Sequence, residues 1–290
     1  MANLKDIRRR IVSVKNTQKI TRAMKLVAAA KFARANAAVV SSRPYGEAFD
    51  QMVANLVAAC GEDFQSPLVE DRGDKNTLVA VLSTDRGFCG GLNANLFKST
   101  TKFVKAKESK GSFVKTIAWG RRAGLVYKGR GAGHLETVEK VLEKVTYESA
   151  KKLADELIEK YINGDCDRVY ISYMKFQSAM AQVPKQLQLL PIGNIVAEGA
   201  SSEVNSVNML IEPSAAEVLA SLLKKVVASA IFRAMLEGSA SEQGARMTAM
   251  ESATNNADEV IRKLTIEYNR ARQAAITNEL IEITSGASAL

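Results

Sequence analysis

The sequence predicts an α/β domain inserted between two long terminal helices that pair as an antiparallel coiled coil. Three observations carry this: a three-four apolar spacing from Leu4 to Val39, a proline-free stretch from Ser214 to Leu290, and strand–helix alternation between them. The fold class is therefore α/β plus coiled coil, with long antiparallel N- and C-terminal helices and an inserted Rossmann-like α/β domain. Expected bounds are 1–60 for the first helix, 61–76 for a linker and 77–195 for the α/β domain. A second linker then occupies 196–212, and 213–290 form the last helix.

The N-terminal segment opens with Asn3 and Asp6 as cap and first-turn acid. Leu4, Ile7, Ile11, Val14, Gln18, Thr21, Lys25, Ala28, Phe32, Ala35 and Val39 then alternate by three and four, a heptad seam that turns polar at Gln18, Thr21 and Lys25. No proline interrupts it before Pro44. Arg8, Lys15 and Arg22 recur every seven residues beside the seam and so form a basic row along one edge of the helix.

The middle of the chain is read as strands at Thr77–Ser83, Phe113–Trp119, Arg168–Met174 and Gln186–Leu190, bounded by Gly, Asp or Pro. Helical patterning covers Asn93–Lys107, Arg121–Lys128 and Tyr147–Ile162, which favours a mostly parallel sheet. Pro67 and clustered acids mark 61–76 as a loop.

The closing helix starts at a capping box, Ser214-Ala-Ala-Glu217, directly after Pro213. About 70 residues at 1.5 Å each give a rod on the order of 105 Å. Its seam is read through Met250, Ala253, Ala257, Val260, Leu264, Ala271, Ala274 and Ile281, with Glu267 and Asn278 filling the gaps. So many seam alanines imply a closely approaching partner helix. Gly238 and Gly244 are weak points that do not forbid continuation. Such a rod exceeds what a 290-residue globule can bury, so most of it must stand in solvent or inside another protein.

Composition narrows the chemistry. One histidine, His134, leaves no His-rich metal site, and Cys60, Cys89 and Cys166 are three distant cysteines without a Cys-x-x-Cys pair, read as reduced thiols. No apolar run reaches membrane-spanning length, and no signal peptide is expected. The net charge of +9 is concentrated: residues 1–34 hold ten basic side chains against Asp6 alone. Such an arm predicts an acidic partner.

The chemical motifs are few. Ser83-Thr-Asp-Arg-Gly-Phe-Cys-Gly-Gly-Leu92 is a Gly-rich strand-to-helix turn, the context of phosphate loops, yet it lacks the lysine and hydroxyl of G-x-x-x-x-G-K-[ST] and the spacing of G-x-G-x-x-G. It is read as a tight connection needing positive φ, with Cys89 a buried thiol. Asn163-Gly-Asp-Cys-Asp167 is read as a turn before a strand, and His134 is placed in a loop. No acid, base and nucleophile set can be assembled, so the chain is read as non-catalytic and free of cofactor or metal. The alternative for its basic arm is a nucleic-acid-binding or scaffold coiled coil, opposed by the seam beneath those residues and the 6% aromatic content.

Two terminal stretches, Ile7–Lys31 (IRRRIVSVKNTQKITRAMKLVAAAK) and Ala240–Met250 (ASEQGARMTAM), together with Tyr268–Gly286 (YNRARQAAITNELIEITSG), resemble the γ subunit family of bacterial-type F1Fo ATP synthase. The resemblance covers nearly the whole chain, and Ser83–Asn93 resembles that family's central domain. It implies a central rotor shaft that couples proton-driven rotation of a membrane c-ring to the cycling of an αβ hexamer. It also implies α and β subunits, an ε subunit and the c-ring as partners, one copy per complex and no nucleic acid. The implied location is peripheral, on the cytoplasmic face of the bacterial inner membrane.

By position in that family, Lys19, Arg22, Met24 and Lys25 face an acidic loop of the β subunits, as does the row Arg8, Lys15 and Arg22. Arg246, Arg272, Gln273 and Thr277 fall where the shaft meets inward-facing β loops, and Ser285–Leu290 would sit in an apolar bearing. The stretch Met209-Leu-Ile-Glu-Pro213 departs from the aromatic residues common there in the family. No inserted cysteine pair is present, so redox control is not expected.

Overall fold

A computed structural model describes residues 4–60, 66–192 and 214–288. The expected cap Asn3, the start of the first linker at 61–65, the second linker 196–212, the departure at Met209–Pro213 and the last two residues lie outside the described residues.

Helix α1 (Leu4–Cys60) runs unbroken through Pro44 for 57 residues, about 85 Å. The central sheet follows as β1 (Asn76–Leu82), α2 (Leu92–Glu108), β2 (Phe113–Trp119), α3 (Arg121–Tyr127), β3 (His134–Val138), α4 (Tyr147–Ile162), β4 (Arg168–Phe176) and β5 (Gln182–Leu190). Helix α5 (Ala215–Ser288) closes the described chain with 74 residues, about 110 Å. At its start the Glu217 N–H donates to Ser214 Oγ at 3.3 Å, the capping contact read from the sequence.

The strand order is β3-β2-β1-β4-β5, with β1, β2, β3 and β4 parallel and β5 returning antiparallel to β4. Both faces are covered, which is why β1 reads as the continuous apolar run TLVAVL. On one face Leu92, Leu96 and Val104 of α2 and Ala123 and Tyr127 of α3 pack on Val79, Val81 and Met174. On the other, Leu153, Leu157 and Ile158 of α4 and Leu223, Val227 and Ile231 of α5 pack on Leu78, Ala80, Ile117 and Ile171. Phe49, Val53 and Leu56 of α1 join that second core.

The rods are therefore not free along their whole length. The first 36 or so residues of α5 form part of the domain's core, and only its later half stands clear of the sheet. Gly238 and Gly244, read as weak points, are close-packing sites: a Cβ on Gly244 would stand 3.2 Å from Phe32 and 3.3 Å from the Ala179 backbone. Arg233 binds Asp50 of α1 through both nitrogens, and Ser241 Oγ donates to the Met174 carbonyl at 3.2 Å, fastening α5 to α1 and to β4.

Beyond the domain, α1 and α5 pair antiparallel. Their rungs are a hydrogen bond from Gln18 to Asp258, Thr21 Oγ1 to Thr254 Oγ1 at 2.8 Å, and Lys25 Nζ to Glu251 at 2.6 Å. The α1 seam residues are buried or half-buried from Leu4 to Val39, as their spacing predicts. The α5 seam differs from the expected one. Val260 is 43% exposed and Ala274 and Ile281 are exposed, while Ile261, Tyr268 and Ala275 are half-buried in their place. A line through Ala257, Leu264 and Ala271 can be completed from either side, and the side holding Ile261 and Tyr268 has more apolar surface to bury than the side holding Val260 and Glu267.

His134 is likewise not in a loop; it begins β3, an edge strand paired with β2. Five residues of mixed polarity after a Gly-rich stretch carry too little periodicity to announce a strand, and pairing with β2 creates it.

Gly120, between β2 and α3, has φ of +104°, and a Cβ there would lie 2.2 Å from the Ser83 carbonyl oxygen. Gly120→Ala is expected to destabilise the chain by about 2 kcal/mol or more. Gly129→Ala, with open space around it, should change stability by less than about 0.5 kcal/mol. Paired denaturant titrations check the contrast, and equal midpoints would contradict it.

Candidate functional site

The Gly-rich turn closes on itself. Asn93 Nδ2 donates to Thr84 Oγ1 at 2.8 Å and to Cys89 Sγ at 3.3 Å, Asn93 Oδ1 accepts from the Thr84 N–H, and Thr84 Oγ1 donates to the Arg86 carbonyl at 2.7 Å. Phe88 and Gly90 have positive φ, in keeping with a tight connection. Burial pushes the Cys89 thiol up, so it stays protonated and unreactive. Asp85 Oδ1 accepts the backbone N–H groups of Arg121 and Lys140 at 3.0 Å each, pinning together the loops at the carboxyl ends of β1, β2 and β3. The turn's polar groups thus serve its own shape, which leaves Phe88 71% exposed at its tip.

Arg246 fastens this turn to the shaft. Its guanidinium donates to the Gly87 carbonyl at 3.2 and 3.3 Å, to Gln243 Oε1 at 3.1 Å and to Glu242 Oε1 at 2.7 Å, and the residue is only 9% exposed. Burial pushes the Glu242 carboxyl up, and the Arg246 charge offsets part of that rise. The spacing of four along α5 stacks the two side chains, and the turn seals them.

Between the turn, α1 and α5 lies a cleft of about 890 Å³. Met24, Val27 and Ala28 of α1 line it beside Phe88, Gln243 and Arg246. Of the residues singled out in the sequence, the structure brings Met24 and Arg246 together on this cleft. Lys25, one residue on, is half-buried and paired with Glu251.

The remaining candidates lie farther along the rod. Arg8, Lys15, Lys19 and Arg22 are exposed on α1, and among the described residues none of them pairs with an acid of this chain. Arg272, Gln273 and Thr277 are exposed on α5, and Thr277 Oγ1 donates only to the Gln273 carbonyl one turn back. The seam register sets Leu4 opposite residue 272, so among the described residues Gln273 and Thr277 lie past the start of α1. Ile276, Leu280, Ile281 and Ile283 are exposed there.

Sequence reasoning missed Phe88 and Glu242. An aromatic at the tip of a Gly-rich turn was the available signal for Phe88; nothing local marks Glu242, whose role depends on the turn folding against it.

These features are suited to making contacts. Among the described residues there is no group of three or more His, Cys, Asp or Glu able to hold a metal ion. The surface is one of shape and charge, with an exposed cationic row, a cleft of mixed polarity and, among the described residues, an apolar tip without a partner helix.

A family model described as ATP synthase matches residues 3–290. The ATP synthase gamma chain of Geobacter metallireducens is 43% identical over 290 residues, covering all of this chain and 99% of that one. That of Ruegeria sp. is 44% identical over 296 residues, covering both chains in full. Among solved structures, a chain of the Euglena gracilis mitochondrial ATP synthase superposes with a TM-score of 0.68 at 18% identity, covering 99% of this chain and 94% of that one. A chain from the central stalk and c-ring of the Tetrahymena thermophila enzyme gives 0.63 at 22% identity, covering 81% and 99%. Matched from end to end by relatives at this level of identity, the chain belongs to the ATP synthase gamma chain family.

Proposed function

We propose that the chain is the central rotor shaft of F1Fo ATP synthase, a non-catalytic subunit that passes torque between a membrane c-ring and the αβ catalytic hexamer. The observation that carries this reading is the lopsidedness of the rod. One edge of α1 bears an exposed cationic row, the seam beside it is buried against α5, and among the described residues α5 runs on past the start of α1. A shaft of that kind cannot offer the same face to three equivalent sites at once.

Each site is then biased toward a different conformation by the contacts it receives. Turning the shaft moves the bias from site to site, so affinity for nucleotide is coupled to angle through differential contact. Arg8, Lys15, Lys19 and Arg22 meet acidic loops of the β subunits, with Met24 and Lys25 at the base of that run. Arg272, Gln273 and Thr277 touch inward-facing β loops higher up. Arg246 acts in this reading by positioning: it holds the Gly-rich turn and the tip residue Phe88 against the shaft.

The exposed apolar tip supports a bearing role, since Ile276, Leu280, Ile281 and Ile283 give non-directional contacts that do not lock an angle. The α/β domain, with an ε subunit, forms the foot on the c-ring. Among the described residues no helix is long and apolar enough to cross a membrane. In this reading the chain meets the membrane through its complex, on the cytoplasmic face of the bacterial inner membrane.

Two outcomes are expected. Replacing Arg8, Lys15 and Arg22 together by Glu should weaken stimulation of αβ ATP turnover roughly five-fold or more, on the scale of three exposed ion pairs. Far-ultraviolet circular dichroism should stay unchanged, because these residues flank the seam. An equal loss of helicity, or full turnover by α and β without this chain, would defeat the reading.

Arg246→Ala should cost about 3 kcal/mol by stranding the buried Glu242 carboxyl. Adding Glu242→Gln should recover part of that loss in the same denaturant titration. No recovery in the double variant would contradict the latch.

A further inference from the structure

We propose that the Glu156 carboxyl on α4 holds a proton against the Glu136 carboxyl on β3, and that this contact is a clamp that fastens the edge strand to the domain and slackens when the proton is lost. The proposal concerns the foot domain and is independent of how the shaft meets its partners.

β3 is the outermost strand on its side of the sheet and bonds to β2 alone. The ladder pairs Thr116 with His134 but Ile117 with Glu136, so Leu135 bulges outward and stands 45% exposed. Glu136 shares its face with Val138, which packs on the core that contains Ile117, Leu157 and Ile158. That face lies toward α4, where the Glu156 carboxyl comes within hydrogen-bonding reach of Glu136.

The juxtaposition is unusual because each carboxyl has an oxygen, Oε1, that is shielded from solvent and receives no hydrogen bond. Two ionised carboxylates offer acceptors alone and repel one another; a single proton between them supplies the missing donor and removes the repulsion.

The other charges on Glu156 are few. Lys160, one turn along α4, stands 3.7 Å from its Oε1 in a loose ion pair. On β2, Lys115 lies on the face of Ile117, but its ammonium donates to the Asp165 carbonyl at 3.4 Å. Burial first, and then Glu136, push the Glu156 carboxyl up to about 7 against the pull of Lys160.

The sign follows from proton linkage. The folded chain binds this proton more tightly than the unfolded chain, so the pair's contribution is complete below the ordinary value of 4.5. It falls as the pH climbs from there to about 7 and is absent above. On the alkaline side β3 is held by its ladder to β2 and by Val138, with two negative charges facing each other beneath it. An edge strand offers unpaired backbone groups to a neighbouring chain, so its hold on the domain also sets how freely that edge is presented.

The titration can be read directly on the full-length chain by isotope labelling of glutamate side chains, with the Glu156 signal identified by its loss in Glu156→Gln. A midpoint near neutrality is expected, and one in the ordinary carboxylate range overturns the clamp. Amide hydrogen exchange across β3 gives the mechanical readout, because the carboxamide introduced by Glu156→Gln is a permanent donor. Between mildly acidic and mildly alkaline buffer, wild-type β3 should lose protection several-fold relative to Glu156→Gln. Coincident profiles would overturn the proposal. Glu136→Gln, which leaves α4 intact, provides the same comparison should the first variant fail to fold.

Discussion

Three polar rungs, Gln18 to Asp258, Thr21 to Thr254 and Lys25 to Glu251, sit in the middle of the seam between α1 and α5, and the geometry of the shaft depends on them. Apolar seams built from alanine and isoleucine tolerate a slip of one heptad at modest cost. A buried hydroxyl does not, because a slip would leave Thr21 without Thr254, and the more exposed rungs Gln18–Asp258 and Lys25–Glu251 flank that pair in the same register. The rungs therefore trade some stability for a single register. That register determines where α1 ends against α5, how much of α5 projects alone, and which edge of α1 carries its cations outward.

Below the rungs the two rods lose their independence. Leu223, Val227 and Ile231 of α5 and Phe49, Val53 and Leu56 of α1 are core residues of the α/β domain, on the same sheet face as α4. Arg233 with Asp50, and Ser241 with the Met174 carbonyl, add directional ties. A load on the rod is thus passed to the sheet through close-packed side chains of low compressibility rather than through a hinge. Glu237 accepts the Phe176 N–H at 3.2 Å in the same region, a further bond between rod and strand. Rod and foot form one mechanical body among the described residues, which suits an element whose work is to turn.

Much of this was legible in the residues. The α1 seam follows from spacing alone, including its polar middle, and the ranges read for β2 and α4, Phe113–Trp119 and Tyr147–Ile162, are the observed ones. Where the reading failed, packing against a distant element decided what a local window did not. Val260 and Ile261 are both apolar, and burial against the partner helix selects the side on which Ile261 is joined by Tyr268 rather than by Glu267. β3 exists because β2 offers it a ladder, which no five-residue window can announce. The exposed candidates Arg8, Lys15 and Arg22 were visible as a seven-residue recurrence. Arg246 was visible as a residue but not as a latch, because its partner carbonyl at Gly87 lies far away in sequence and is brought to it by the sheet.

The central claim is that a lopsided rod works by presenting different contacts as it turns while its neighbours perform the chemistry. The most direct test is to fix the αβ hexamer to a surface, attach a bead to the α/β domain of this chain, and follow the bead during ATP hydrolysis. The account predicts one-way rotation with three evenly spaced dwells per turn. Sustained hydrolysis beneath a stationary bead would contradict it.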